Sequence, residues 1–435
     1  MFIVKFSTTL NGIISLPGDK SITHRSIMLA SLANGTSFIK GALLANDCLV
    51  TLRIMKELGV CIKICEDKSL EILGVGFKGL KESNKNLDCV NSATTMRLLC
   101  GILIGQNKKF TLIGSNNLCL RPMDRIIHPL KLMGANIISD NNFAPLRIEK
   151  SKKLIGIKYN SKIASAQVKS AILLASLYAD AKTNIIDFSS TRNHTELLLK
   201  IMGANIIFNN NNIISNPLKK ELIPLTINIP GDISSAAFLI AAVSVNPSST
   251  VLIKKVLCNY TRIGIIDALR KMGATINLVN KYFENNELVS DIYVRGAYLR
   301  GSIFSGDNII RMIDELPVLA VVATQAFGVT EIRDASELRV KESDRIEVIV
   351  SELKKMGANI RSTNDGFVII GGYKLLGAKV NSHGDHRIAM ALAVAGLFAY
   401  NKSYIVNSTV VRDSFPDFIL SMNNIGAKIE EVDYD

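Results

Sequence analysis

Six times along the chain, a stretch with apolar residues at helical spacing ends in a glycine flanked by apolar residues and passes at once into alternating apolar and polar positions. The stretches close in Met55-Lys-Glu-Leu-Gly-Val60, Leu132-Met-Gly-Ala135, Ile201-Met-Gly-Ala204, Lys271-Met-Gly-Ala274, Lys355-Met-Gly-Ala358 and Asn424-Ile-Gly-Ala427. Spacing by three and four predicts an amphipathic helix, and alternation, as in Asn136-Ile-Ile-Ser139, predicts a half-buried strand. The glycine between them reads as the left-handed residue that ends a helix. Gly59, Gly134, Gly203, Gly273, Gly357 and Gly426 are separated by 75, 69, 70, 84 and 69 residues, about one sixth of the 435-residue chain each time. A repeat of that period governs the whole architecture.

A second series precedes the glycines by about forty residues: Asp19-Lys-Ser21, Asn91-Ser-Ala-Thr94, Ser165-Ala-Gln167, Asp232-Ile-Ser-Ser235, Asp314-Glu-Leu-Pro317 and Asp385-His-Arg387. Each supplies capping or first-turn residues and opens a helix of small and apolar residues, such as Ala236-Ala-Phe-Leu-Ile-Ala-Ala-Val243, predicted to be buried on nearly every side. The expectation is an α/β protein of six similar modules. Leu16-Pro-Gly-Asp19 is echoed 213 residues later by Ile229-Pro-Gly-Asp232, three modules on. Two three-module domains follow, residues 17–229 and residues 1–16 with 230–435, joined by two passages of chain that form a hinge. Polar residues at several helix N-termini are expected to converge on a cleft suited to anions.

Composition narrows the classes. With 48% hydrophobic and 20% charged residues the chain is neither disordered nor single-cored. Its longest uncharged, mostly apolar run, Ile388 to Tyr400, is thirteen residues, short of the roughly 20 that cross a membrane. The first residues show no targeting pattern, and seven cysteines, six of them before Arg121 and without a C-x-x-C pair, fit a reducing cytoplasm better than a disulfide framework or a zinc site. The balance of 51 Lys and Arg against 38 Asp and Glu suggests anionic partners. Nucleic acid is a poor candidate, since there is no long basic block, no tryptophan and only 6% aromatic residues.

Pro17-Gly-Asp-Lys-Ser-Ile-Thr-His-Arg25 places Ser21 and Arg25 on one helical face with Lys20 at the helix mouth, a fixed anion clamp. That string, with Leu120-Arg-Pro-Met123, Ser165-Ala-Gln-Val-Lys-Ser170, Thr191-Arg-Asn-His-Thr-Glu196, Asp314-Glu-Leu-Pro317, Leu338-Arg-Val-Lys-Glu-Ser-Asp-Arg345 and Asp385-His-Arg-Ile-Ala-Met390, resembles the motifs of the 5-enolpyruvylshikimate-3-phosphate (EPSP) synthases, in that family's order and over Ser15 to about Asp417. The resemblance implies a two-domain enolpyruvyl transferase-like fold of six βαβαββ modules, three per domain. It implies a monomer without metal or cofactor that transfers the enolpyruvyl group of phosphoenolpyruvate to the 5-hydroxyl of shikimate 3-phosphate and releases phosphate.

The same resemblance assigns residues. Lys20, Ser21, Arg25, Ser165, Ala166, Gln167, Arg192, Asp314 and Lys341 are expected at shikimate 3-phosphate, Ala166 through its backbone because many relatives carry a serine there. Lys20, Asn91, Ala93, Arg121, Gln167, Arg345, His386 and Arg387 are expected at phosphoenolpyruvate. Guanidinium suits bidentate contact with its carboxylate and phosphate. Asp314 and Lys341 are expected at the attacking hydroxyl and Glu342 as proton donor to the methylene carbon, with Lys20 assisting; Lys341 and Glu342, as neighbours, would tune each other. Taken without the motif, Asp314 reads as a helix cap, and Lys169 as either a helpful charge or a solvated lysine.

Departures sharpen the reading. Val90-Asn-Ser-Ala-Thr94 replaces both glycines of the family's Gly-Asn-x-Gly-Thr, and Asp413 stands where some relatives carry a lysine. The methyl of Ala93 is expected to obstruct glyphosate, the family's inhibitor, which is longer than phosphoenolpyruvate; a glyphosate-tolerant enzyme follows. The rival within the fold, UDP-N-acetylglucosamine enolpyruvyl transferase, uses a loop cysteine, but Cys119 stands only two residues before Arg121 without a glycine-rich loop and reads as a half-buried thiol. An inactive anion-binding scaffold would have lost Asp314, Lys341 or Glu342, and all three are present.

Overall fold

The computed structural model describes residues 1–187, 191–209 and 211–433. The chain divides into a continuous unit, Lys20–Ile229, and a split unit, Met1–Asp19 with Pro230–Asp435. Each contains three four-stranded sheets, and all six share one pattern: an edge strand parallel to its neighbour, then two antiparallel pairings. The third module of the continuous unit displays the path without interruption. Strand Lys158–Asn160, helix Ala166–Ser176, strand Thr183–Ile186, helix His194–Ile201 and strands Ile206–Asn209 and Asn212–Ser215 follow in order. The first two strands pair in parallel, which a tight turn cannot achieve, and the intervening helix makes the crossover. The expected βαβαββ module is therefore present.

Three modules borrow strands from distant parts of the chain. Phe2–Lys5 pairs with Ser403–Val406 and Lys428–Glu431, closing the last sheet of the split unit. Asn11–Ser15 pairs with Thr250–Leu257 in the split unit, although the chain runs on from it into the first helix of the continuous unit. Thr226–Asn228 does the converse, pairing with Asn34–Lys40 in the continuous unit before the chain enters the split one. The two Pro-Gly-Asp turns that follow these strands bond to each other: Asp19 N–H donates to Pro230 O at 2.9 Å and Asp232 N–H to Pro17 O at 3.0 Å.

Six helices form the interior: α1 (Lys20–Leu32), α2 (Ala93–Leu103) and α3 (Ala166–Ser176) in the continuous unit, α4 (Ile233–Ser244), α5 (Leu316–Gln325) and α6 (His386–Gly396) in the split unit. Every residue of α4 and of α6 is buried, as the absence of a polar face dictates. The thirteen-residue apolar run thus supplies most of α6, and among the described residues no helix is long and apolar enough to cross a membrane. Small residues allow the helices to approach closely. A Cβ added at Gly101 of α2 would meet the carbonyl oxygen of Ala171 of α3 at 2.2 Å. The outer helices end as expected: Gly59, Gly134, Gly203, Gly273, Gly357 and Gly426 all have φ between 83° and 105°, where a side chain would be strained.

Candidate active site

In the continuous unit the expected residues cluster at the starts of α1, α2 and α3. Lys20, the first residue of α1, donates to Asp47 Oδ2 at 2.9 Å. One turn on, Arg25 is buried, with Nε 2.7 Å from Thr195 Oγ1, Nη1 3.0 Å from Ser21 O and Nη2 2.9 Å from Ser170 Oγ. The clamp is thus fixed at three nitrogens, and Arg192 adds a bond from Nη1 to Ser21 Oγ at 3.2 Å. Ser165 caps α3 by accepting from Val168 N–H, which leaves Ala166 and Gln167 in the first turn. Gln167 is held at both ends, accepting from Arg97 Nη1 at 2.6 Å and donating to Thr94 Oγ1 at 2.9 Å.

Lys169 is neither solvated nor directed at the cluster's open side. It is 4% exposed and ion-paired with Glu196 at 2.9 Å and Asp187 at 3.3 Å, and it donates to Thr191 O, so it anchors the segment that carries Arg192. At α2 the N-cap is Ser92, and Asn91 accepts a hydrogen bond from Ser115. Ala93, the first helical residue, is 3% exposed. Val90 keeps the glycine-like backbone its relatives would suggest, with φ 48°. Arg121 is buried, and the loop that bears it is tied down by Arg97, whose Nη2 donates to Pro122 O at 2.9 Å. Cys119 is half-buried, 3.5 Å from Gly114 O.

The split unit gathers Asp314, Lys341, Glu342, Arg345, Asp385 and Arg387 around the starts of α5 and α6. Arg345 is the hub. Its side chain is 2% exposed, and it donates from Nε to Asp385 Oδ2 at 2.7 Å, from Nη2 to Glu342 Oε2 at 2.6 Å and from Nη1 to Asp314 Oδ1 at 3.1 Å. Burial alone would lower its pKa, but the charges of Asp385, Glu342 and Asp314 reverse that and raise it further above the arginine range. Lys341 Nζ lies 3.5 Å from the same Asp314 oxygen. The neighbours Lys341 and Glu342 are thus ion-paired with Asp314 and with Arg345 respectively. Asp314 does not cap α5: the N-cap position is Glu315, which makes no side-chain cap, and the Asp314 carboxylate is turned sideways between an ammonium and a guanidinium. Asp385 both caps α6, accepting from Arg387 N–H at 2.9 Å, and binds Arg345, so one carboxylate joins the helix start to the hub. His386 and Arg387 follow it, both buried.

Sequence reasoning missed Arg97, Asp47, Arg262 and Glu315. The first three lie outside any quoted motif and are recruited by folding; Glu315 sat inside one, beside Asp314. Among the described residues, no group of three or more His, Cys, Asp or Glu side chains could hold a metal ion.

Six four-stranded modules around buried helices, with arginine-rich clusters at the helix starts, define an enolpyruvyl transferase-type α/β protein. The same fold occurs in the enolpyruvyl transferase NikO from Streptomyces tendae, with TM-score 0.82 over 99% of this chain and 98% of that one at 14% identity. The chain belongs to the EPSP synthase (3-phosphoshikimate 1-carboxyvinyltransferase) family, whose pattern it matches over residues 4–422. It is 50% identical over 419 residues to the 3-phosphoshikimate 1-carboxyvinyltransferase of Thermodesulfovibrio yellowstonii, covering 96% of this chain and 97% of that relative. With the enzyme of the same name from Endomicrobium trichonymphae it shares 45% over 426 residues, 97% and 99% of the two chains. The EPSP synthase of Acinetobacter baumannii superposes with TM-score 0.87 at 38% identity, covering 99% of each chain.

Proposed function

We propose that this chain transfers the enolpyruvyl group of phosphoenolpyruvate to the 5-hydroxyl of shikimate 3-phosphate, releasing phosphate, in the pathway to aromatic amino acids. The observation that carries the reading is the cluster Asp314, Lys341, Glu342, Arg345 and Asp385, in which three carboxylates are held on one buried guanidinium and the Lys341 ammonium is paired with one of them, Asp314. The hydroxyl oxygen must bond to C2 of phosphoenolpyruvate while the methylene carbon gains a proton; loss of phosphate and of a proton from that carbon then restores the double bond. Asp314, flanked by Lys341, suits the hydroxyl, accepting its proton or orienting it. Glu342, fixed by Arg345, suits the carbon. Lys20 adds positive charge where phosphoenolpyruvate loses its phosphate.

Shikimate 3-phosphate is assigned to Ser21, Arg25, Ser165, the Ala166 backbone, Gln167 and Arg192, with Lys20, Asp314 and Lys341. Phosphoenolpyruvate is assigned to Asn91, Ala93, Arg121, Gln167, Arg345, His386 and Arg387, with Lys20. The fixed guanidinium of Arg25 and the doubly held Gln167 support these assignments, because groups already ordered lose little entropy when substrate arrives. On this reading the protein works as a cytoplasmic monomer without metal or cofactor, and its two units are hinged at the Pro-Gly-Asp turns. The test is phosphate release from phosphoenolpyruvate with either shikimate 3-phosphate or UDP-N-acetylglucosamine as acceptor. Turnover with the first alone is expected; turnover with the second alone would overturn the assignment.

A further inference from the structure

Within the split unit a buried chain of polar side chains runs from the Pro-Gly-Asp turns to Arg387. It starts at Arg262, 2% exposed, in the turn before the outer helix Gly264–Lys271. Arg262 donates from Nη1 to Asp19 Oδ2 at 2.8 Å, and from Nη2 to Asp232 Oδ1 at 3.1 Å and Ser234 Oγ at 3.0 Å. A guanidinium cannot accept a hydrogen bond, so the Ser234 oxygen accepts and its hydrogen is directed to its other partner. That partner is Glu315 Oε1, and the same oxygen lies 3.6 Å from Arg387 Nη1. Hydrogen-bond polarity is therefore defined from Arg262 to Glu315, and an ion pair continues the chain to Arg387.

Glu315 joins α5 to Ser234 of α4, and its charge also acts on Arg262. It is 1% exposed, stands at the N-cap position of α5 and makes no side-chain cap, yet burying a carboxylate is costly unless a cation faces it. The cation in ion-pair range is Arg387, itself buried, on the neighbouring helix, with the charge of Arg262 reaching Glu315 from the other side of Ser234. We propose that Glu315, oriented by Ser234 and Arg262, is a positioning residue that fixes the Arg387 guanidinium for phosphoenolpyruvate. The inference rests on the assignment of Arg387 to that substrate. At the far end of the chain, burial and the charge of Asp19 raise the pKa of Asp232, as befits two acids sharing one guanidinium.

The experiment is steady-state kinetics of the full-length enzyme carrying Glu315→Gln, Arg387→Ala, both, and separately Ser234→Ala. Glu315→Gln is expected to raise KM for phosphoenolpyruvate about fivefold or more, with KM for shikimate 3-phosphate changed less than about twofold. Once Arg387 is alanine, Glu315→Gln is expected to add less than about twofold, because the two act as one unit. Ser234→Ala shifts the same KM in the same direction, and serves if Glu315→Gln fails to fold. Unchanged KM for phosphoenolpyruvate in Glu315→Gln or Ser234→Ala, equal effects on both substrates, or independent effects in the double variant would overturn the positioning role. If Arg387→Ala itself leaves that KM unchanged, the assignment of Arg387 falls, and the inference with it.

Discussion

At residue scale, chemistry and strain separate cleanly. Lys341→Met and Glu342→Gln are expected to lower kcat by about 10² to 10⁴ with small changes in KM, the usual worth of a positioned proton-transfer group. Arg25→Ala, by contrast, is expected to raise KM for shikimate 3-phosphate; steady-state kinetics on the three variants checks both. Val90 carries a β-branched side chain at φ 48°, a conformation that costs roughly 1–3 kcal/mol. Part of that is offset by the greater unfolded freedom of glycine, so Val90→Gly is expected to stabilise the protein by about 1 kcal/mol in urea denaturation. Ala93→Gly addresses the inhibitor. The methyl is almost covered by protein, and its remaining surface is expected to obstruct glyphosate by about 1 kcal/mol or more, so glycine should lower the glyphosate inhibition constant several-fold. Equal constants would place the methyl wholly within the helix packing.

At element scale, the helix starts gather the residues assigned to the substrates and the glycine ends carry the repeat. Glu352 shows how an outer helix is tied in. In the helix Arg345–Lys355 it is 1% exposed and accepts from Lys355 Nζ at 2.8 Å and the Asn381 N–H at 3.0 Å, with His383 Nε2 3.0 Å away. Burial pushes its pKa up, but these partners outweigh burial and hold it below the ordinary 4.5. A carboxyl lowered in the folded state stabilises above its unfolded value, and that contribution is lost as pH falls through the folded one. Glu352→Gln is therefore expected to cost about 1–3 kcal/mol at pH 7, with the difference from wild type narrowing on the acid side of 4.5. Thermal unfolding at several pH values measures it. Sequence patterning announced the helix but not this anchor, because Asn381 and His383 arrive from a strand and a turn some thirty residues on.

At the scale of the whole molecule, the chain topology treats the two clusters of assigned residues unequally. The residues assigned to the shikimate phosphate lie in Lys20–Ile229, a single uninterrupted stretch that contains all the strands of its three sheets. The acid cluster lies in a unit assembled from both ends of the chain. A fragment spanning 20–229 is accordingly expected to fold, to bind shikimate 3-phosphate in calorimetry, and to release no phosphate from phosphoenolpyruvate. Absence of binding by a folded fragment would show that the shikimate phosphate needs more than Lys20, Ser21, Arg25, Ser165, Gln167 and Arg192.

Local and periodic features were legible in the residues themselves. The six left-handed glycines, the buried helices without a polar face and the module count follow from short-range sterics and hydrophobic spacing, which act within a few residues of chain. Motifs named Asp314, Lys341, Glu342 and Arg345, which folding brings within ion-pair distance of one another. Tertiary structure alone decided the partners seen here: Lys341 with Asp314, Lys169 with Glu196 and Asp187, and Arg345 at the centre of three carboxylates. Ion pairs and hydrogen bonds between buried groups depend on distances of a few ångströms across elements far apart in sequence, and only the packed helices and sheets set those distances.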